Sequence, residues 1–597
     1  MKKSRNASSS LKLENGSKVA VIGGGPAGSF FTYFLLEMAG RVKLQLQVDI
    51  YEPKDFFTPG PANCNHCGGI VSESLVQLLA TEGIKLPPSV VQKAIDSYII
   101  HTDTGSRRID PPTREKRIAA LSRGSAPRGS KEQKYRSFDG FLLELASDKG
   151  ANVIKQRVKS VDWEGNHIDN KTHDHDRGKP VLITKDGDSH PYDLVTVAAG
   201  VNSATLKIFA NSQRQYRPPQ KTRTFIGEIP MDPEAIQTYM GHSMHVFLLN
   251  LPRLEFAALI PKNDYMTLCL LGDKIDNQLV DMFLHSPAVK RLLPTGKEHE
   301  SRVCHCTPFI NTKQAGYPFC DRVVLIGDSG ATRLYKDGIG AAYRTAKACA
   351  ATAVFHGVSA EDFNQHYYKS AYKAICTDNI FGKLTFAVIN LISKIGPARR
   401  GILRLVDKEQ QNPKSTKRMS AVLWDSFTGS ASYREIFLRT LHPAFLSRFL
   451  WNCAASLSSS PGEKKNQGNI ESKKQESSMK KGDLGKVYHD GEIIVRQDET
   501  GDCMFVIQAG EVEVIRQTGD RSILLAVLRE GDFFGEMALF EEELRSATVR
   551  AKGSTRVLSV DKKTLLSHIQ VDPSLAFSMI RKMSQRIRDL DKELSRT

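Results

Sequence analysis

The chain has 597 residues and a formal net charge of +17, with 40% hydrophobic and 25% charged residues. This composition is typical of a soluble globular protein and excludes a disordered chain or a multi-span membrane protein. At about 150 residues per domain, the length predicts roughly four domains. The charge is uneven, because residues 487–597 sum to −3 and the preceding residues to +20. The basic part therefore predicts an anionic partner, which composition leaves open as nucleic acid, anionic lipid or an anionic cofactor.

Residues 1–17 form a polar N-terminal extension that lacks the apolar stretch of an export signal. Ten cysteines are sparse for this length, which favours reduced thiols in a reducing cytoplasm. Residues 457–486 are rich in Ser, Lys, Glu and Gly, and they predict a flexible linker. We therefore expect a cytoplasmic protein with a long α/β region before this linker and a smaller domain after it.

A glycine-rich loop, GGGPAG at residues 23–28, follows a first apolar strand and precedes a helical pattern. A second strand then ends at an acidic residue, Glu52. In this arrangement the first glycine permits a tight turn, the second lets backbone approach a pyrophosphate, and the third lets the helix pack closely. The helix N-terminus would face the phosphates, and Glu52 would bind a ribose hydroxyl. The predicted dinucleotide-binding residues are Gly23, Gly25, Ala27, Gly28 and Glu52.

A second cofactor signal lies about 300 residues later, where a buried strand ends at Asp328 and a Gly-Ile-Gly turn opens a helix. Asp328 would bind the ribityl hydroxyls of a flavin. The helix at Gly338, Ile339 and Gly340 would face the N1/C2 edge of the flavin, where its N-terminus stabilises the anionic reduced form. The two signals together favour FAD as the bound dinucleotide.

These motifs, the helical segment that begins at Tyr135-Arg136, and the strand that ends at Gly200 resemble FAD-dependent oxidoreductases of the geranylgeranyl reductase family. The resemblance covers roughly residues 18–400. It implies an α/β fold, in which a Rossmann-like FAD-binding domain is interleaved with an α+β substrate domain. It also implies that Arg136 contacts the cofactor, and that the enzyme reduces carbon–carbon double bonds of an isoprenoid or other lipid-like substrate.

Two departures from the family's pattern keep the substrate open. The third strand ends in Ala-Ala-Gly, where many relatives have Ala-Asp-Gly, and Tyr335-Lys336-Asp337 replaces the usual proline before the glycine-rich turn. The sequence contains no second dinucleotide fingerprint. We therefore expect the electrons to come from transiently bound NAD(P)H or from a ferredoxin-like protein.

Four cysteines form a Cys-x-x-Cys pair and a Cys-x-Cys pair, namely Cys64, Cys67, Cys304 and Cys306. The resemblance places a Cys-Gly pair near the flavin, which matches Cys67-Gly68 and makes Cys67 the candidate catalytic thiol. Three interpretations stay open: packed structural thiols, a reactive thiol at Cys67, or a four-cysteine metal or iron–sulfur site.

Residues 380–456 form a basic apolar segment, in which residues 380–455 carry 12 Lys and Arg against 4 Asp and Glu. One interpretation is a helical lid packed on the flavoprotein. The other is a segment that lies in a membrane interface with its cations on anionic lipid, which would place the protein peripherally on the inner membrane face.

Alternating apolar residues and recurring Gly-Asp turns over residues 487–597 predict a small antiparallel β-barrel with flanking helices. Its segment from Gly535 resembles the phosphate-binding cassette of cyclic nucleotide-binding domains. Glu536 would bind the ribose 2′-hydroxyl and Arg545 the cyclic phosphate, while Ser546 favours cAMP over cGMP. The predicted nucleotide-binding residues are Gly535, Glu536, Met537, Ala538, Arg545, Ser546 and Ala547.

The sequence thus predicts a FAD-dependent oxidoreductase over residues 18–379, with a small-molecule or lipid substrate and no nucleic-acid partner. A cyclic nucleotide bound to residues 487–597 would regulate it. Two other functions stay open: a flavin monooxygenase or dehydrogenase acting on another substrate, and a non-catalytic cyclic-nucleotide sensor with a flavin redox module.

Overall fold

The structure, a computed structural model, describes residues 11–58, 63–65, 67–110, 115–124, 136–164, 178–212, 216–294, 304–412, 416–457, 483–519, 521–540, 544–571 and 573–594. Two compact units make up the chain. Unit 1 is Met1–Val71, Ser97–Asp110 and Ala120–Lys474, and unit 2 is Ser72–Asp96, Pro111–Ala119 and Gln475–Thr597. Unit 2 therefore contains two segments from the N-terminal half of the sequence as well as its C-terminal residues.

The described strands are numbered along the chain. They are β1 (Lys18–Ile22), β2 (Gln47–Tyr51), β3 (Ile70–Val71), β4 (Val91–Ile95), β5 (Ser97–Thr102), β6 (Gly105–Ile109), β7 (Ile118–Leu121), β8 (Asn152–Ile154), β9 (Val158–Trp163), β10 (Pro180–Thr184), β11 (Ser189–Pro191), β12 (Leu194–Val197), β13 (Gln220–Arg223), β14 (Phe225–Pro230), β15 (Ser243–Phe247), β16 (Leu254–Pro261), β17 (Tyr265–Gly272), β18 (Cys304–Cys306), β19 (Phe309–Lys313), β20 (Phe319–Cys320), β21 (Val323–Leu325), β22 (Lys486–Tyr488), β23 (Ile493–Val495), β24 (Cys503–Thr518), β25 (Arg521–Arg529), β26 (Phe533–Phe534) and β27 (Thr548–Asp561).

The described helices are numbered in the same way. They are α1 (Pro26–Arg41), α2 (Glu73–Thr81), α3 (Phe138–Asp148), α4 (Thr205–Ser212), α5 (Pro233–Tyr239), α6 (Asn277–Leu284), α7 (Pro287–Lys290), α8 (Gly338–Phe355), α9 (Ala360–Asp362), α10 (Lys373–Lys394), α11 (Gly396–Gln411), α12 (Arg418–Thr428), α13 (Tyr433–Thr440), α14 (Pro443–Ala455), α15 (Met537–Phe540), α16 (Lys562–Val571) and α17 (Ser574–Leu594). A 3₁₀ turn covers Gly327–Ser329, and a π-helix at Phe363–Tyr372 leads into α10.

A six-stranded sheet organises the nucleotide-binding part of unit 1. Its strand order is β20-β21-β12-β1-β2-β8, parallel except for the edge strand β20. The central strands read as continuous apolar runs, as expected where helices cover both faces of a parallel sheet. Helices α1 and α8 pack together, with the rings of Phe30 and Tyr343 edge to face at 5.5 Å. This is the Rossmann-like α/β arrangement that the sequence predicts.

Unit 1 contains a second large sheet of seven strands, in the order β18-β14-β17-β16-β15-β5-β6. All neighbours are antiparallel except β5 and β15, which run parallel. Its strands alternate along the chain with those of the six-stranded sheet, which agrees with the predicted interleaved α+β domain. Helices α5, α6 and α7 bury apolar side chains such as Ile236, Leu279 and Val289 in the core that this sheet shares with them.

The basic apolar segment is helical, but its first helix begins earlier than the sequence suggests. Helix α10 starts at Lys373 and is continuous with the π-helix, and α11 to α14 follow it. Within the described residues, the stretch Ala360–Lys394 is long and apolar enough to cross a membrane by length and composition.

The C-terminal sheet of unit 2 has the order β22-β27-β24-β25, with β23 on β27 and β26 on β24. Every pairing is antiparallel, which confirms the predicted antiparallel architecture. Among the described strands no pairing closes this sheet into a barrel. Its core consists of apolar side chains that include Ile507, Val512 and Val557.

The two N-terminal segments of unit 2 are bound to this C-terminal part through the backbone as well as through side chains. The Gly485 N–H donates to the Lys116 carbonyl at 2.9 Å, next to the start of β22. Helix α2 begins at Ser72, whose hydroxyl accepts the Leu75 N–H. The structure therefore places α2 and residues 115–119 in the same unit as the predicted regulatory domain.

Candidate functional site

The glycine-rich loop after β1 makes a close turn into α1. Gly23 has φ +109°, and a Cβ there would lie 2.6 Å from the Ala198 carbonyl oxygen. A Cβ on Gly28 would collide with the Gly23 carbonyl. Gly25 is different, because the nearest atom to a Cβ there is Asn65 Nδ2 at 3.8 Å. The first and third glycines are thus required by packing, and the second leaves open space above the loop.

The N-terminus of α1 faces that open space with its backbone donors available to a ligand. Gly25 is the N-cap and provides no side-chain cap, Pro26 occupies the first turn, and no acidic residue lies there. The first N–H groups of a helix have no intrahelical partner, and the helix dipole favours an anion beside them. These features fit a pyrophosphate group, as the sequence predicts for Gly25 and Ala27.

Glu52 lies at the end of β2 beside the same loop. Its two carboxylate oxygens accept the Gly24 N–H at 2.8 Å and the Lys54 N–H at 2.9 Å. Burial raises the pKa of Glu52, and these two backbone hydrogen bonds oppose that rise. The carboxylate is therefore held in a fixed orientation at the position where the sequence predicts a ribose.

The second cofactor signal meets the first one in the structure. Gly327 has φ +56°, and a Cβ there would lie 2.6 Å from the Cβ of Ala27. Its N–H donates to Thr345 Oγ1 of α8 at 3.1 Å. Burial raises the pKa of Asp328, while Arg123 is among the groups that lower it. Asp328 thus lies in the turn after β21, and its neighbour Gly327 approaches the first turn of α1. A cofactor that extends across the sheet requires these two turns to be close together.

The first turn of α8 carries an aspartate that the sequence analysis did not use. Asp337 is the N-cap residue with φ +54°, and its side chain is 2% exposed. Arg344 Nη2 lies 3.1 Å from its carboxylate. Gly340 is required, because a Cβ there would collide with that carboxylate. Gly338 and Ile339 open the helix as predicted, and the Asp337 carboxylate lies against its N-terminal turn.

Lys336 is a second unexpected residue in this loop. Its Nζ is buried without a hydrogen-bond partner among the described residues, and it lies 4.2 and 4.1 Å from the ring centroids of Phe256 and Phe427. Burial lowers its pKa far below the usual value. The neighbour Tyr335 has φ +61°, so Lys336 is flanked by two residues in the left-handed region. Strained backbone of this kind is concentrated at functional sites, but the sequence shows only a departure from a family motif here.

Two arginines must be distinguished near α3. Arg136, predicted to contact the cofactor, is 39% exposed, pairs with Glu144 and lies over the Phe141 ring at 5.6 Å. Arg123, which the sequence analysis missed, pairs with Asp139 at 2.9 and 3.1 Å and also bonds the Cys67 thiol. Burial opposes the charge of Arg123, yet Asp139 and Cys67 keep its pKa above the usual value.

The Cys67 loop is fixed by a lysine from the seven-stranded sheet. Lys262 Nζ donates to the carbonyls of Gly68, Gly69 and Leu121 at 2.8–2.9 Å. Burial lowers the pKa of Lys262 to about 8. Cys67 Sγ accepts the Gly69 N–H at 3.5 Å. The loop is thus held in place where the resemblance positions a thiol near the flavin.

Three cysteines lie on one face of the seven-stranded sheet. Cys306 and Cys269 both stand opposite Ile226, and Cys304 stands opposite Glu228, with Cys304 Sγ 3.4 Å from Glu228 Oε2. None of the four cysteines of the predicted pairs forms a disulfide with another described residue. Within the described part of the chain, no group of three or more His, Cys, Asp or Glu is arranged to hold a metal ion.

The predicted phosphate-binding cassette is organised around Arg545. Its guanidinium is buried and donates to the carbonyls of Gly535 and Cys503, both at 2.6 Å. Gly535 has φ +77°, and a Cβ on Gly501 would collide with the guanidinium. Ala547 is buried beside it and Ser546 is exposed. The Arg545 guanidinium is therefore hydrogen-bonded to two backbone carbonyls.

Glu536 of the cassette is buried under the C-terminal helix. Arg586 Nη1 of α17 lies 3.6 Å from its carboxylate, and Arg586 Nη2 donates to the Phe533 carbonyl at 2.8 Å. Burial raises the pKa of Glu536, and both Arg586 and Arg545 oppose the rise. Met537 is 48% exposed, and the side chain of Ala538 lies outside the described ones. Arg586 is a contact that the sequence analysis missed, because nothing in the pattern of α17 sets one arginine apart.

A buried ion-pair network connects the N-terminal segments of unit 2 to β27. Arg117 is 3% exposed and contacts Glu73 at 3.3 Å and Asp561 at 2.7 Å. Glu115 accepts the Ser559 N–H at 2.9 Å and also its hydroxyl. Burial raises the pKa of Glu115, and Arg117 opposes that rise. The sequence gives no signal for this network, because its members are far apart in the chain.

Comparison with known proteins identifies the C-terminal domain. Residues 485–572 match the protein family described as cyclic nucleotide-binding domain. A cAMP-dependent protein kinase regulatory subunit of Schizosaccharomyces pombe is 38% identical over 78 residues, which are 13% of this chain and 18% of that protein. The Cyclic AMP receptor protein of Thermus thermophilus is 31% identical over 110 residues, which are 18% of this chain and 51% of that protein. The chain thus spans about half or less of the length of these relatives.

Solved flavoproteins match the N-terminal part of the chain at low similarity. A variant of the halogenase PltM in complex with FAD matches with 13% identity and a TM-score of 0.45, covering 74% of this chain and 91% of that chain. Oxygenases of 2-methyl-3-hydroxypyridine-5-carboxylic acid occur among the matches as well. At this level of similarity the matches assign neither a substrate nor a reaction to this chain.

Proposed function

We propose that this protein is a FAD-dependent oxidoreductase whose activity is regulated by a cyclic nucleotide bound to residues 485–572. The observation that carries the proposal is that unit 2 combines the cyclic nucleotide-binding domain with α2 and residues 115–119. These two segments lie within the oxidoreductase part of the sequence. The regulatory domain is therefore packed on elements of the part that it would regulate.

The pyrophosphate of FAD would be held by the first turn of α1, its adenosine ribose by Glu52, and its ribityl chain by Asp328. The open space at Gly25 and the uncapped N–H groups of α1 support this assignment. When bound, the flavin supplies hydride or single-electron transfer. The residues of the chain would orient the flavin. Arg123 and the Cys67 loop would lie beside it.

Two short connections would carry the regulation. Cys67 is six residues from Glu73, and Arg117 is six residues from Arg123. Glu73 and Arg117 form an ion pair in unit 2, while Cys67 and Arg123 are hydrogen-bonded in unit 1. A shift of β27 that moves Asp561 would pull on both connections, so that a cyclic nucleotide could change the position of the Cys67 loop. Coupling of this kind is typically worth about 1–3 kcal/mol.

Binding of the cyclic phosphate would require Arg545 to exchange its partners. Its bonds to the Gly535 and Cys503 carbonyls are both hydrogen bonds to neutral acceptors. A phosphate is a stronger acceptor, because charge-assisted hydrogen bonds are about twice as strong as neutral ones. The Gly535 and Cys503 carbonyls would then need other donors, and the position of Glu536 would change. Because Glu536 pairs with Arg586, this change would connect the bound nucleotide to α17.

For the reaction, we propose reduction of carbon–carbon double bonds in an isoprenoid or other lipid-like substrate, with NAD(P)H or a ferredoxin-like protein as the electron donor. The support is the resemblance of the motifs at Gly23–Glu52 and Gly327-Asp328. A flavin monooxygenase is the second candidate, and the flavoprotein-like fold is compatible with it.

The test uses the purified full chain. An absorption spectrum would show bound flavin, and its anaerobic reduction by NADPH would be followed with and without saturating cAMP. Geranylgeranyl lipid would then be added, and its saturation measured by mass spectrometry in the absence and presence of oxygen. A rate that changes at least severalfold with cAMP supports regulation. A product formed only with oxygen would support the monooxygenase function in place of the reductase. A flavin that no donor reduces would support the non-catalytic sensor.

A further inference from the structure

Helix α10 presents an exposed apolar face. The side chains of Ile380, Leu384, Val388 and Leu391 are 60%, 46%, 47% and 60% exposed. Their spacing of four, four and three residues places them on one stripe of a helix with 3.6 residues per turn. We call these four side chains, with Ile395 at the end of the helix, the α10 face.

The opposite side of α10 is packed against the protein. Ile375 and Thr385 are buried, and Phe381 contacts Phe437 of α13 with ring centroids 5.9 Å apart. Gly382 is so close to Tyr433 that a Cβ there would lie 2.7 Å from its ring. The helix therefore lies along the surface of unit 1, with one side committed to packing.

A second helix of the same segment is also apolar where it is exposed. On α14 the side chains of Leu446, Leu450 and Trp451 are 40%, 62% and 71% exposed, while Phe445 and Asn452 are buried. Isolated exposed apolar residues are normal on a soluble protein, whereas contiguous stripes indicate an interaction surface.

The exposed charges of residues 373–457 have a single sign. Among the described residues of 373–457, every charged residue classed as exposed is basic. These residues are Lys373, Lys383, Lys394, Arg400, Arg404, Lys408, Arg434 and Arg448. The acidic residues of the same range are partly or fully buried and bound within the protein. For example, Asp378 accepts the N–H groups of Tyr433 and Arg434, and Asp425 pairs with Arg439.

We propose that the α10 face binds the surface of an anionic lipid bilayer, with the helix lying in the interface. An apolar stripe bordered by lysines and arginines matches the acyl boundary and the charged headgroups at the same time. The helix is long enough to cross a bilayer, but its other side is occupied by α13, so it lies flat. This inference does not depend on the proposed reaction, although a lipid substrate would reach the protein by the same surface.

The experiment is co-sedimentation of the full chain with vesicles of phosphatidylcholine alone and of phosphatidylcholine with about one third phosphatidylglycerol. We expect binding to the anionic vesicles only, and a decrease in binding as the salt concentration rises. The double variant Leu384→Glu, Leu391→Glu should bind at least about tenfold more weakly, because it removes apolar area from the stripe and adds repulsion. Both side chains are exposed, so the thermal unfolding temperature should not change.

A matched control is Ile523→Glu on β25, where the native side chain is 49% exposed. It should bind vesicles like the unmodified protein. Equal binding to neutral and anionic vesicles, or an unchanged affinity of the α10 double variant, would overturn the proposal. Light scattering provides a further arm: a dimer that dissociates in the double variant would assign the α10 face to a second copy of the chain.

Trp451 offers an independent readout for α14. The other two tryptophans, Trp163 and Trp424, are 7% and 5% exposed, so the fluorescence of Trp451 alone should respond to contact with lipid. Anionic vesicles should shift the emission to shorter wavelength, and Trp451→Phe should abolish the shift without preventing sedimentation. An emission that stays unchanged while the protein sediments would restrict the lipid contact to α10.

Discussion

The guanidinium of Arg117 donates to the carboxylate of Asp561 across 2.7 Å and joins two residues that are 444 positions apart in the chain. Arg117 is almost completely buried, and Asp561 is its most exposed acidic partner, at 40%. Glu73 and Glu115 are the others. Removing Arg117 would leave the buried carboxylates of Glu73 and Glu115 without this cation and cost about 3–5 kcal/mol. Asp561 is therefore the member through which the network can be weakened without unfolding unit 2.

The substitution Asp561→Asn should uncouple the two functions. We expect the affinity for cAMP to stay within about twofold of the unmodified protein, because Asp561 lies outside the phosphate-binding cassette. The effect of cAMP on the rate of flavin reduction should fall by at least half, since coupling energies of about 1–3 kcal/mol depend on such connections. Calorimetry measures the first quantity and anaerobic stopped-flow absorption the second.

Glu499→Gln serves as the control for this variant, because Glu499 is 61% exposed and pairs only loosely with Arg496 at 4.0 Å. It removes one negative charge from the same unit. A variant Asp561→Asn that keeps the full response to cAMP would show that regulation does not pass through Arg117.

Replacing Arg545 should abolish nucleotide binding. The variant Arg545→Ala loses the only buried arginine of the cassette, and we expect its affinity for cAMP to fall by about 100-fold or more, since a charge-assisted hydrogen bond to a buried group contributes about 1.5–3 kcal/mol and two are available. Binding of a fluorescent cAMP analogue measures the loss. The control Arg529→Ala removes a side chain that is 76% exposed and should bind normally. An unchanged affinity in Arg545→Ala would locate the ligand elsewhere.

The open space at Gly25 predicts a substitution that removes the cofactor but not the fold. Gly25 has φ −70°, so a side chain is tolerated by the backbone, and a Cβ meets only Asn65 at 3.8 Å. We expect Gly25→Val to fold with an unchanged unfolding temperature of the apoprotein and to be purified without flavin. Gly40→Ala, on the same helix with nothing within 4 Å, should retain the flavin and gain about 0.5–1 kcal/mol. Yellow Gly25→Val protein would contradict the proposed pyrophosphate site.

Unit 1 should lose stability on mild acidification because of a buried histidine pair in the seven-stranded sheet. His101 Nε2 lies 2.9 Å from His245 Nδ1, and His101 is stacked on Phe247. Burial lowers the pKa of His101 to about 4. In the unfolded chain His101 binds a proton near pH 6.5, whereas in the folded protein it does so only near pH 4. The free energy of unfolding therefore has its full contribution from neutral His101 above pH 6.5, and this contribution falls as the pH decreases toward 4. At pH 5 the loss from His101 alone is about 2 kcal/mol.

Urea unfolding at pH 7.5 and pH 5 measures this loss. Tryptophan fluorescence reports unit 1, because Trp163, Trp424 and Trp451 all lie there. The variant His101→Gln should show a shallower decrease with pH, whatever its stability at pH 7.5. In the control variant His190→Gln, which changes an exposed histidine, the free energy of unfolding should decrease with pH as in the unmodified protein. An equal decrease in His101→Gln would exclude His101 as the cause.

The local motifs were predictable from sequence, because each is a run of residues whose spacing fixes a turn. The loop at Gly23–Gly28 lies between β1 and α1, Glu52 follows β2, and residues 485–572 match the cyclic nucleotide-binding domain. Arg123, Lys262 and Lys336 were missed. Their roles depend on burial and on partners such as Asp139, Gly68 and Phe256, which come from other strands and helices, and no local pattern encodes these contacts.

The division of the chain into two units could not be predicted from the sequence. Residues 72–96 and 111–119 look like ordinary parts of an α/β domain in sequence, and only the three-dimensional contacts assign them to unit 2. The β-barrel prediction is confirmed as far as its antiparallel pairing, and the described strands of the C-terminal sheet show no closing pair. Strand alternation predicts antiparallel pairing, but it does not determine whether the last strand returns to the first.

The contact between Gly327 and Ala27 has a consequence for synthesis of the protein. Strand β1 and helix α1 leave the ribosome early, yet β1 pairs with β12, and α1 packs on residues that follow β21. At roughly 5–20 residues per second, the roughly 300 residues between Ala27 and Gly327 take about 15–60 s to be made. For that time the apolar surfaces of α1 and β1 lack their final partners. Nascent chains should therefore require chaperone protection, and ribosome-bound fragments ending before Gly327 should be sensitive to protease at the glycine-rich loop.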